Sequence, residues 1–98
     1  MKVLRKKVRE PWEVVCVDNT LEALQREVGG YIETLGITCD SCLIVNEEGA
    51  ISDLPFNTRL FGQFLFGTIL IVGVKGDEFC DVPFGVEELV GGVTNGER

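Results

Sequence analysis

Between Asp18 and Tyr31 the apolar residues Leu21, Leu24 and Val28 recur among Glu22, Arg26 and Glu27. At 100° per residue the three aliphatic positions share one stripe, which predicts an amphipathic helix lying on something apolar. Asn19 followed by Glu22 reads as a capping box, so the helix is expected to begin at about Thr20. Glu22 and Arg26 stand in the favourable i,i+4 order, and Gly29-Gly30 supplies a left-handed stop. Tyr31 to Ile37 then changes to a period of two, and Cys42 to Val45 is expected to pair with it in a hairpin about Cys39-Asp40-Ser41-Cys42. Thr68 to Val74 is continuously apolar, the mark of a central strand covered on both faces. It turns through Lys75-Gly76-Asp77-Glu78 into a last strand, Phe79 to Val82. At the other end, Lys2 to Val8 and Glu13 to Val17 read as two strands joined at a corner by Pro11. Lys6 and Lys7 suit an edge strand, while Cys16 and Cys80, each single within a strand, read as small buried hydrophobes.

The remaining segments carry weaker periodicity. Asn46-Glu47-Glu48-Gly49 is a tight turn, and Pro55 stops any strand near Leu54. Phe56 to Phe66 reads as an aromatic-rich connection, in which Phe56, Leu60 and Phe64 have helical spacing. Core filling is favoured there over an anchor for a partner groove or a membrane surface. Pro83 to Val90 is expected as a short helix with Glu87 and Glu88 outward, within a single domain over residues 1–90 and ahead of a flexible tail over 91–98. The pattern gives an α+β fold, a mainly antiparallel sheet of five to six strands with one principal helix (about 20–28) packed on one face. One such helix leaves the second face open. Either the Phe-rich segment covers it or a second copy of the chain does, so a homodimer is expected.

Composition adds bounds. With 98 residues, 45% hydrophobic and 26% charged, the chain has the makings of one globular core. No apolar run reaches membrane-spanning length and no signal-peptide pattern follows the basic start, so a cytoplasmic protein without a membrane partner is expected. Four cysteines in that setting read as free thiols. The net charge of −7 divides into +4 over residues 1–10 and −11 over the rest. An acidic body repels phosphate, so no direct nucleic-acid partner is expected, and the basic strand is expected to pair with acidic groups of its own fold or of a partner.

Candidate chemistry is sparse. There is no histidine, hence no Ser-His or Cys-His nucleophile, and no phosphate-binding glycine loop. Glu47-Glu48 and Glu87-Glu88 fall in a turn and on a helix surface, where solvent keeps both members ionised. The inventory argues against an enzyme and against a required cofactor. Cys39 and Cys42 form a lone CxxC that would hold zinc only if Cys16 and Cys80 joined it, and neither a catalytic nor a metal site is expected. The other candidate is a ligand or partner loop of Asn46, Asp53, Asn57 and Arg59. Arg59 offers a planar fork for a carboxylate or phosphate, whereas the alternative reading has these groups tying down an irregular loop.

The helix NTLEALQREVGGYIE, the turn NEEGAISDLPFNTRL and the strand GTILIVG together resemble a family of small bacterial and phage proteins catalogued as domain of unknown function 3846. The resemblance covers roughly residues 11–82 and is carried most visibly by Asn46, Glu47, Glu48, Gly49, Leu54, Pro55, Asn57 and Arg59. The chain departs from it at Arg5, Lys6 and Lys7 and after Val82. The resemblance implies a phage or mobile-element setting without an established reaction, substrate or cofactor. With the residue inventory, it leads to an uncharacterised, non-enzymatic small regulatory or protein-interaction protein. One alternative is an acidic decoy that mimics DNA and occupies a nuclease or restriction protein. The other is a small-ligand-binding module or enzyme centred on Asp53, Asn57 and Arg59.

Overall fold

The computed structural model describes residues 1–91. The strands are β1 (Lys2–Lys6), β2 (Glu13–Cys16), β3 (Ile32–Thr38), β4 (Ser41–Asn46), β5 (Phe56–Leu60), β6 (Gln63–Phe66), β7 (Ile69–Lys75) and β8 (Glu78–Cys80). The helix α1 spans Leu21–Val28, and a 3-10 turn covers Val86–Val90. The main sheet runs β2-β1-β7-β4-β3 with β8 also on β7, and every pairing is antiparallel. The fold is thus α+β, six strands and one principal helix, with β5 and β6 forming a second, two-stranded sheet. Of the expected tail, residues 92–98 lie outside the described residues.

The apolar run of β7 takes the centre, with β4 along one side and β1 then β8 along the other. The junction of β1 and β8 is closed by the Lys2 amide donating to Asp81 Oδ1 and the Val82 amide donating to the Lys2 carbonyl, both at 2.8 Å. β1 is therefore an interior strand, correcting the edge position expected from its lysines. Arg5 points to the helix side, where its guanidinium meets Glu13 at 3.1 Å and Glu27 of α1 at 3.0 Å. Lys6 points to the opposite side and donates to Asn57 Oδ1 at 2.7 Å. Burial lowers the basicity of both side chains. For Arg5 the bonds and charges of Glu27 and Glu13 outweigh it and raise the pKa, whereas Lys6, with no carboxylate partner, is left lowered.

Alternation along the strands sends side chains to two cores. On the helix side Leu24, Val28 and Ala23 pack with Val3, Val17, Cys42, Ile44, Leu70 and Val72. Two expectations about α1 are revised. The N-cap is Thr20, whose hydroxyl accepts from the Ala23 amide at 3.1 Å, and the Asn19 carboxamide instead donates to the Phe79 carbonyl at 2.9 Å. Leu21 is 54% exposed. Its azimuth is close to that of Val28, but it lies two turns away, and periodicity reports direction without saying how much of a helix's length is covered. The predicted stop holds: Gly29 is left-handed at φ 81°, and the amides of Gly29 and Gly30 both donate to the Gln25 carbonyl.

The second face is closed within the chain. Leu4, Leu43, Val45, Ile69 and Ile71 of the sheet meet Trp12, Leu65, Val82 and Val86, with Leu60 and Val90 at the margin. The Phe-rich segment is neither a connection nor helical. It is the β5–β6 hairpin, turned by Phe61 and Gly62 with φ of 51° and 78°. Two consecutive positive φ values are what a type I′ two-residue hairpin requires. Phenylalanine in place of the usual asparagine or aspartate hid the signal. The hairpin's leucines cover the sheet, while Phe56, Phe61 and Phe64 remain exposed.

Candidate functional site

The polar residues expected to gather in one loop are divided by the sheet. Asn46 ends β4 on the helix side: its Nδ2 donates to the Val28 carbonyl at 3.1 Å, and its Oδ1 accepts from the Glu48 amide at 2.7 Å. It thereby satisfies a carbonyl left open at the end of α1 and fixes the turn after β4. Asn57 lies on the other side of the sheet. Its Nδ2 donates to the carbonyls of Lys6 and Gly67 at 2.9 and 2.7 Å, and its Oδ1 receives Lys6 Nζ, so the side chain is fully used in holding the hairpin to β1. Asp53 is exposed in the turn region at φ 59°. Arg59 is exposed on the outer side of β5, its guanidinium carbon 5.5 Å from the centroid of the Phe64 ring.

The cysteines are likewise separated. All four are free. Cys39 is exposed in the two-residue turn between β3 and β4, whereas Cys42 is buried beneath α1 and burial pushes its thiol pKa up. Cys16 is exposed, correcting the buried position expected for it. Among the described residues no three His, Cys, Asp or Glu side chains are placed to share a metal ion.

Asn46 instead belongs to a cleft of about 630 Å³ between the C-terminal end of α1 and the turn after β4. Glu22, Gln25 and Arg26 form its helical wall, Tyr31 its rim, and Glu48, Ser52 and Leu54 the opposite side. The wall holds its shape through local backbone bonds: the Glu47 amide donates to the Tyr31 carbonyl at 2.9 Å and the Ser52 amide to the Glu48 carbonyl at 2.7 Å. Gly30 admits the Asn46 carboxamide, since a Cβ there would stand 2.8 Å from Nδ2. The expected Glu22–Arg26 ion pair is not formed; both ion pairs among the described residues belong to Arg5. The cleft combines a guanidinium, two carboxylates, two carboxamides, a hydroxyl and a phenol, groups suited to holding a small polar molecule. Of its lining, Asn46 alone was among the expected site residues. Gly29-Gly30-Tyr31 is legible as a helix stop, but a stop does not announce the hollow beside it.

The outer face of the β5–β6 hairpin is the second distinctive surface. Phe56 is 51% and Phe64 64% exposed, with ring centroids 6.2 Å apart, and Phe66 meets Phe56 edge-on at 5.8 Å. Arg59 over Phe64 completes a cationic and aromatic patch.

No curated protein and no solved structure matches the chain. The family model described as Domain of unknown function (DUF3846) matches residues 1–91, a span that takes in the basic first strand and the segment after Val82. With all but the last seven of its 98 residues matched, the chain belongs to the DUF3846 family.

Proposed function

We propose that this protein is a small non-enzymatic regulatory or interaction protein, of a phage or mobile element as its family resemblance implies, and that the outer face of the β5–β6 hairpin is its contact surface. The observation that carries the reading is the division of labour along the hairpin. Leu60 and Leu65 supply the core contacts, so Phe56 and Phe64 are not needed for core packing and stand exposed beside Arg59. Aromatic and arginine side chains dominate the binding energy of protein interfaces. The test is capture of host proteins on immobilised wild type and on a Phe56→Ser, Phe64→Ser, Arg59→Ala triple variant whose fold is checked by circular dichroism. A stoichiometric partner lost with the variant is expected; identical captured sets would overturn the assignment of the surface. The decoy reading has two fewer free carboxylates to draw on, because Arg5 ties up Glu13 and Glu27 within the fold.

A small-ligand role has its own support in the cleft beside Asn46, although its centre moves from Asp53, Asn57 and Arg59 to Arg26, Tyr31 and Asn46. A thermal-shift screen of small polar metabolites addresses it: a stabilising compound should lose its effect with Arg26→Ala, and a hit indifferent to that change would place the ligand elsewhere.

A further inference from the structure

The two edges of the main sheet are built differently. β2 is four residues long and follows Pro11, whereas β3 runs seven residues and has no strand on its outer side among the described residues. A long open edge is a template for another strand unless lysine, proline or a covering segment blunts it. β3, Ile32-Glu33-Thr34-Leu35-Gly36-Ile37-Thr38, contains neither lysine nor proline.

The phase of its hydrogen bonding follows from two bonds. The Glu47 amide donates to the Tyr31 carbonyl, and the Val74 amide donates to the Asp40 carbonyl. With the registers Glu33↔Val45 and Cys42↔Val72, residues 31, 33 and 35 direct their backbone groups to β4. Ile32, Thr34 and Gly36 therefore direct theirs outward. These three precede the irregularity in register between Gly36 and Thr38, so the open stretch is regular backbone.

We infer that β3 pairs with β3 of a second copy of this chain, antiparallel, about a two-fold axis at Thr34, joining the two sheets into one. This goes beyond the proposed partner-binding role and uses a different surface. In that register Thr34 opposes Thr34 of the second copy, Ile32 opposes Gly36 and Glu33 opposes Leu35. All three outward residues then exchange their N–H and C=O groups with the second copy. The side chains agree. The space where a Cβ of Gly36 would point is empty to 4 Å, leaving room for the incoming Ile32, which is only half-buried in one chain. Glu33, the single charge on the strand, meets a leucine, not its own copy, so like charges are not opposed. Threonine across from threonine is a favourable cross-strand pair.

Light scattering of the full chain across a concentration series, combined with cysteine cross-linking, tests this. A mass about twice the 10.8 kDa of one chain is expected at the higher concentrations. Thr34→Pro removes an outward donor that the β3–β4 ladder does not use, and should give a monomer with an unchanged circular dichroism spectrum. In a background with Cys16 and Cys39 replaced by serine, Thr34→Cys should oxidise rapidly to a disulfide dimer, because directly opposed hydrogen-bonded residues lie about 5.5 Å apart between Cα atoms. Glu33→Cys, opposed to Leu35, should oxidise far more slowly. A wild-type monomer at the highest concentration would overturn the inference, as would equal cross-linking rates at positions 33 and 34. Since the β5–β6 patch is untouched by these changes, a monomeric Thr34→Pro variant that still captures host proteins supports this pairing. A wild type that captures them as a monomer, or a Thr34→Pro variant that remains dimeric, would refute the pairing and leave the proposed contact surface standing.

Discussion

The two faces of the main sheet reach the same degree of burial by different means. On one, a regular helix delivers Ala23, Leu24 and Val28 to the sheet, and a period of 3.6 residues announces it in advance. On the other, the cover is assembled from Trp12, one side of a hairpin, the chain after β8 and a 3-10 turn, pieces that share no period. A sheet face requires apolar volume at native packing density, and the source of that volume is immaterial to the sheet. A count of helices therefore underestimates how much cover a chain of this length supplies. The count of covering elements, which had pointed to a second copy, is met within one chain, and the case for association passes from an uncovered face to an open edge.

The comparison breaks first at its most buried points. Leu24→Asp places a carboxylate without a partner under α1 and should cost about 4 kcal/mol, enough to leave little folded protein. Leu21→Asp, in the same helix but exposed, should stay within about 0.5 kcal/mol. Thermal melts followed by circular dichroism distinguish the two, and equal losses would contradict the helix placement. On the opposite face, Leu65→Ala should cost about 3 kcal/mol, while the neighbouring Phe64→Ala, though larger in volume removed, should cost less than about 1 kcal/mol. Urea titration measures both, and a larger loss for Phe64 would mean that the hairpin packs by its rings.

Smaller effects sharpen the picture at the ends of elements and in pH. Thr20→Ala should cost about 1 kcal/mol as a lost N-cap, and more than Asn19→Ala, whose bond to Phe79 is solvent-exposed; reversed order would restore Asn19 as the cap. The two faces should also differ in sign above pH 8. Beneath α1, burial raises the Cys42 pKa. As pH climbs past about 8.5 an unfolded chain releases that thiol proton while the folded chain keeps it, so stability falls relative to Cys42→Ala. On the hairpin face, burial lowers the Lys6 pKa. The folded chain releases that proton before the unfolded one, so stability rises relative to Lys6→Gln as pH approaches the ordinary lysine value of about 10.4. Urea midpoints at pH 7.5 and 10 read both slopes, and slopes of equal sign would contradict the assignment of these side chains to their environments.

Much of the frame is legible in residues whose behaviour is local. The apolar run of β7, the alternation in β3, the stop at Gly29-Gly30 and the turn after Asn46 depend on neighbours within a few positions, and each lies where the sequence puts it. The site is less legible, because Asn46 and Asn57 are both polar residues near turns and differ only in which face of the sheet their side chains reach. Lysines in β1 resemble an edge signal until the hairpin supplies Asn57 and the carboxylates of β2 and α1 receive Arg5. Phe61-Gly62 makes a turn that composition disguises; once the turn forms, alternation sends Leu65 inward and Phe64 outward, and the register irregularity between Phe56 and Thr58 brings Phe56 to that same outer face. The sequence by itself determined the elements whose stability comes from period, caps and glycine. Tertiary structure decided which strand is interior, which aromatic rings meet solvent and where a cleft opens, because each of these depends on residues far apart in the chain competing for the same two faces of one sheet.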